Sequence, residues 1–73
     1  MSVQVWDIEA AFLLGRFASE EEALKFVRMV LANEGDAYAE NLRLILDDEG
    51  RVRVGGAELL RRARALDAAY AAG

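Results

Sequence analysis

"NLRLILDDEGRVRVGG", residues 41–56, holds two runs that alternate in polarity around an acidic, glycine-ended turn. Alternation with period two is the signature of a half-buried strand, and Asp-Glu-Gly between two such runs marks a hairpin. With Asp48-Glu49-Gly50 as a three-residue loop, Gly50 takes the left-handed position of a bulged turn. Leu46 then faces Val52 and Leu44 faces Val54 on one side, while Asp47 faces Arg51 and Ile45 faces Arg53 on the other. A two-residue Glu49-Gly50 loop would set Leu46 against Arg53 and scramble both faces, so pairing favours the longer loop.

Working outward, "AELLRRARALDAAYAA" follows the hairpin with helical periodicity, its apolar arc formed by Leu59, Ala63, Leu66 and Tyr70. The earlier half repeats the plan: "VQVWDI" and "FLLGRF" read as strands, and "ASEEEALKFVRMVLANEG" as a helix. Ser19 with Glu22 is a capping box, in which the hydroxyl takes the N3 amide and Glu22 reaches back to the cap amide. Gly35 supplies the left-handed stop. Ala23, Leu24, Phe26, Val27, Val30 and Leu31 share one helical arc, and Met29 lies outside it. The order predicts an α+β domain over residues 1–73: two β-hairpin–helix units (ββαββα), with an antiparallel sheet and the helices packed on one face.

The first hairpin is less constrained. Val3, Val5 and Leu13 against Trp6, Ile8, Phe12 and Leu14 leave both faces apolar, and residues 7–14 also recur at helical spacing. As a strand pair, one face meets the helices and the other needs a second cover, which a homodimer provides. Trp6, Phe12, Leu14, Ile45 and Met29 are the candidate interface residues. In "GDAYAEN", residues 35–41, Asp36 is placed to cap a single helical turn carrying Tyr38, which packs under the first helix or marks a contact surface.

Val5-Trp6-Asp7, Leu14 to Phe17, and Glu21-x-Ala23-Leu24-x-x-Val27 resemble a family of small uncharacterised bacterial proteins. Their pattern is a hydrophobic-Trp-Asp strand, a turn, an aliphatic-x-x-Phe strand and an E-x-A-L-x-x-V helix. The similarity continues through Leu42-Arg43-Leu44, the turn at Asp48 to Gly50, and Gly56-Ala57-x-Leu59. The chain departs from it at Ala10-Ala11-Phe12, where the family carries turn formers such as Gly or Asn. The resemblance implies a fold and brings no activity, cofactor or partner.

Composition narrows function by removal. With neither cysteine nor histidine, the chain has no disulfide, no thiolate and none of the commonest general base or transition-metal ligand. An 8.0 kDa chain sits near the lower size limit for autonomous folding, and self-association is the staple left to it. The first ten residues carry no charged n-region, and no apolar run is long enough to span a bilayer. The expected setting is cytoplasmic, with no membrane contact.

Charge is divided along the chain. Residues 1–50 hold four basic and eleven acidic side chains, residues 51–73 five and two, for a net charge of −4. Arg51 is expected to pair with Asp47, Arg62 with Glu58 and Arg64 with Asp67, leaving Arg53 and Arg61 as the candidate contacts for an anion or an acidic partner. "VGGAELL" has the makings of an anion nest at a helix start, yet it lacks the phosphate-loop spacings and puts Glu58 in the first turn. Asp47-Asp48-Glu49-Gly50 lacks calcium-loop spacing. Asp7 and Glu9 share a strand face if that strand continues, with no pocket around them. No catalytic, cofactor-binding or metal-ligating residue emerges. The expectation is a non-catalytic domain that self-associates and acts by protein–protein contact. The alternative is a nucleic-acid-binding regulator using the arginine-rich C-terminal hairpin and helix, which the carboxylate partners of most of these arginines and the lack of an interleaved aromatic make the weaker expectation.

Overall fold

Two antiparallel hairpins and two long helices follow in the order β1 (Val3–Asp7), β2 (Phe12–Phe17), α1 (Glu20–Glu34), a 3₁₀ segment (Asp36–Asn41), β3 (Leu42–Ile45), β4 (Arg53–Gly55) and α2 (Gly56–Ala72). The computed structural model describes residues 2–72, with side chains described as far as Leu66. The four strands form one antiparallel sheet in the order β2-β1-β3-β4, so the hairpins meet through β1 and β3. The domain is α+β, as the sequence predicts.

Strand parity sorts the side chains. Val3 and Val5 of β1, Leu42 and Leu44 of β3 and Val54 of β4 are buried together with Ala23, Leu24, Val27 and Leu31 of α1, Ala39 of the 3₁₀ segment, and Leu59 and Ala63 of α2. Burial of apolar surface at about 25 cal/mol per Å² is the main force holding this layer of helices to the strands. Phe17 at the end of β2 packs on Phe26 of α1 with ring centroids 5.3 Å apart.

The second hairpin has the register its side chains ask for. Leu44 pairs with Val54 and Ile45 with Arg53, Leu46 N donates to Val52 O at 2.9 Å, and Gly50 has φ +73°. The strands themselves are shorter than their alternation, and Val52 is half exposed.

In the first hairpin, residues 7–14 are strand, turn and strand rather than helix. The pairing slips by one between Val5–Gly15 and Trp6–Leu13, which leaves Leu14 as an extra residue on β2. This bulge exchanges the two leucines expected from simple alternation. Leu13 stands opposite Trp6, and Leu14 packs against the core.

Local devices differ from expectation in three places. Ser19 Oγ accepts from Glu22 N at 3.2 Å, but Glu22 Oε2 takes the Ala18 amide, at 3.3 Å, rather than that of Ser19. Gly35 ends α1 with φ +94° and ψ 157°, its N–H donating to Leu31 O, and it also caps the 3₁₀ segment with no side-chain bond. Asp36 therefore caps nothing and instead binds Arg64 at 2.5 Å. The expected pairing of Arg64 with Asp67 and the place of Tyr70 lie outside the described side chains.

Two backbone positions carry opposite strain. Ala11 holds φ +54°, a left-handed conformation that costs an L residue about 1–2 kcal/mol. Gly56 holds φ +56°, and Glu40 Oε2 lies 3.0 Å from where a Cβ there would stand. Ala11→Gly is expected to raise unfolding free energy by about 0.5–1 kcal/mol, and Gly56→Ala to lower it by about 1–2 kcal/mol. Urea denaturation of the two variants beside the parent checks both signs.

Candidate functional site: the uncovered face of the sheet

Because β1, β3 and β4 turn their aliphatic residues toward the helices, Gln4, Trp6, Arg43, Ile45 and Arg53 stand on the opposite face. The ladder sets Trp6 between Leu13 and Arg43, and Gln4 between Arg16 and Ile45, with Arg53 beside Ile45. Trp6 Nε1 donates to Gln4 Oε1 at 2.8 Å, which ties the indole to its own strand. Ile8, 47% exposed, extends the apolar strip past the end of β1. The result is an open trough of about 440 Å³ between the 8–11 turn and the 47–50 loop, with Trp6 and Ile45 in its lining and Arg43 and Arg53 beside them.

Each end wall has its own anchor. At the turn, Asp7 Oδ1 accepts from the amides of Glu9 and Ala10, both at 3.0 Å, while Oδ2 accepts from the Tyr38 hydroxyl at 2.5 Å. One carboxylate thus shapes the hairpin and ties it to the 3₁₀ segment. The Tyr38 hydroxyl and the two amides hold the Asp7 carboxyl below its ordinary value, and the Asp7 carboxylate raises that of Tyr38. At the other wall, Asp47 Oδ1 accepts from Val52 N at 2.8 Å and Asp48 Oδ1 from Ser2 N at 3.4 Å. These carboxylates hold backbone amides. Arg53 Nε donates to Gly50 O at 2.7 Å, and an Arg43 Nη1 donates to the carbonyls of Leu42 and Glu40 at 2.6 and 3.0 Å. Any Cβ at Gly55 would collide with the Arg43 side chain, which explains why glycine stands across from it.

The residues singled out by sequence are not brought to one place. Trp6 and Ile45 share the trough. Phe12 is 61% exposed at the start of β2, opposite Asp7. Met29, 56% exposed, belongs to the helix layer. Leu14 belongs to the core through the bulge. Arg53 lies on the open face, whereas Arg61 is on α2 and binds the Glu58 carboxylate through Nε at 2.9 Å and Nη2 at 2.6 Å. The sequence left Arg61 without a carboxylate because it favoured the i+4 partner; Glu58 takes both Arg61 and Arg62, and Arg62 also reaches Glu20 at 3.0 Å. Arg51 pairs with Glu49 at 3.3 Å and not with Asp47, whose carboxylate is engaged with the Val52 amide.

Asp7 does not form a carboxylate pair with Glu9, because the chain turns at residue 8 and Asp7 binds the Glu9 amide instead. The Gly55-Gly56 helix start is faced by the Glu40 carboxylate, so the chain's own anion stands where a phosphate would have to approach. Among the described residues, no group of three or more carboxylates is placed to hold a metal ion, and no helix is long and apolar enough to cross a membrane. Sequence reasoning passed over Leu13, Arg16 and Arg43 as members of this face. Arg43 was recoverable from its place between Leu42 and Leu44, and Arg16 from the strand parity it shares with Leu14, but Leu13 needed the bulge.

No family model, curated protein or solved structure matches the chain.

The Asp7 contacts predict an acid limit on stability. A carboxyl whose folded value lies below its ordinary 3.8 contributes fully above that pH and loses its contribution as the pH falls through the lower folded value. Tyr38, raised above 10.0, loses its contribution as the pH rises through its folded value. Asp7→Ala is therefore expected to melt below the parent at neutral pH and to converge with it in acid. Thermal melts followed by circular dichroism from neutral pH downward check this, and a constant gap between the two curves would contradict it.

Proposed function

We propose that the chain is a non-catalytic protein–protein interaction domain that self-associates through the uncovered face of its sheet. In this account two β-hairpin–helix units place both helices on one side, and a second copy covers the other. The observation that carries the proposal is the apolar strip of Trp6, Leu13, Ile45 and Ile8 on a face that, among the described residues, lines an open trough. Isologous pairing asks that one surface complement itself. This one has the means, since Arg16, Arg43 and Arg53 border the strip and Asp47, Asp48 and Glu49 stand at its end. A chain without cysteine suits the reducing cytoplasm.

One observation favours a second function. An aromatic ring between cationic neighbours, Trp6 with Arg43 beside it and Arg16 and Arg53 one row away, is the pairing that single-stranded nucleic acid uses for stacking and phosphate contact. The acidic loop at the end of the trough opposes it.

Self-association makes the melting temperature rise with protein concentration. Trp6 is the single tryptophan, so its emission is expected to move to shorter wavelength over the same range. Ile45→Lys, on the open face, is expected to abolish both trends while leaving the far-UV spectrum intact. A parent protein whose melt and emission do not depend on concentration would overturn the proposal. Quenching of Trp6 by a single-stranded oligonucleotide at low salt would favour the second function.

A further inference from the structure

We infer that the groove between α1 and α2 docks an acidic, amphipathic helical segment of a partner protein. This surface lies in the helix layer, away from the face used for self-association. From α1 come Lys25, Arg28, Met29 and Ala32, at i, i+3, i+4 and i+7, which is one continuous stripe. From α2 come Leu60, Ala63 and Arg64, at i, i+3 and i+4. Between them is an open groove of about 480 Å³ with Leu31 and Ala63 buried at its base and Met29 exposed at its lip.

Its charge is reversed relative to the chain. Among the described residues, three lining cations, Lys25, Arg28 and Arg64, stand against one lining carboxylate, Asp36, in a protein whose net charge is −4. Lys25 and Arg28 have interactions of their own within the chain, so the inference uses the sign and place of these charges and does not require any to be unpaired. Asp36 holds Arg64 at 2.5 Å and fixes that guanidinium at the groove.

Apolar lining beneath a cationic rim suits a helix that carries apolar residues at i, i+3, i+4 and i+7 with carboxylates beside them. Among the described residues, the lining has no aromatic ring on which a base would stack. A second copy offering its acidic 47–49 loop to this groove would make Met29 part of the self-association contact, an outcome that the Met29→Asp variant reads.

Fluorescence anisotropy with a fluorescein-labelled amphipathic helical peptide of Glu, Leu and Ala tests the inference on the whole protein. Binding is expected for this peptide, weakening with salt, and not for its counterpart with Lys in place of Glu. Lys25→Glu with Arg28→Glu is expected to lower affinity by about tenfold or more, and Met29→Asp to lower it independently. Ile45→Lys is expected to leave it unchanged, which separates this groove from the sheet face. Absence of binding, equal binding of the Lys peptide, insensitivity to the charge reversal, or competition by an oligonucleotide at the groove would each overturn the inference. Loss of self-association in Met29→Asp would overturn it too, by assigning the groove to a second copy.

Discussion

The pleat of the two central strands constrains everything else. In β1 and β3 successive side chains point to opposite faces, so burying Val3, Val5, Leu42 and Leu44 under the helices obliges Gln4, Trp6, Arg43 and Ile45 to stand on the other side. Both long helices contribute residues to the core that these strands bury. The outer face keeps apolar groups large enough to stabilise a contact and charges of both signs to orient it. A one-residue slip of either strand would exchange these sets and unmake the core and the open face together.

Around that constraint, a few local groups fix the ends. Asp7 sits where β1 stops, and its two oxygens serve different elements: one forms the turn, the other receives Tyr38 from the 3₁₀ segment. The same residue therefore sets the height of one wall of the trough and the seat of the segment that leads into β3. At the far corner, Gly55 and Gly56 have separate reasons to be glycine. The first lets the Arg43 side chain lie across β4, and the second turns the chain into α2 with positive φ beside the Glu40 carboxylate. These are close-approach requirements, not signs of a phosphate loop.

Much of this was legible in the sequence where period and pairing act locally. The second hairpin followed from matching Leu44 to Val54 and Ile45 to Arg53, and the first helix from its cap and its apolar arc. What escaped was set at a distance or by one extra residue. The bulge at Leu14 has no signature in a run as apolar as Phe12-Leu13-Leu14, so simple alternation puts the two leucines on the wrong faces and makes Leu14 an interface residue. Ion pairs followed the same division. Arg62 with Glu58 is local and was expected, whereas Arg62 with Glu20 and Arg64 with Asp36 depend on how the helices and the 3₁₀ segment pack. Arg53 and Arg61, consecutive cations along the chain, are separated by the turn from β4 into α2, which leaves one on the sheet and the other on the helix.

The central claim is that the face bearing Trp6 and Ile45 is covered by a second copy, and solution molar mass tests it most directly. Light scattering across protein concentration, at low and at high salt, should give twice the chain mass at the upper concentrations. That mass should persist in high salt, because the proposed contact is mainly apolar and the Debye length falls to about 3 Å at 1 M. A mass equal to one chain at every concentration and salt would contradict the account.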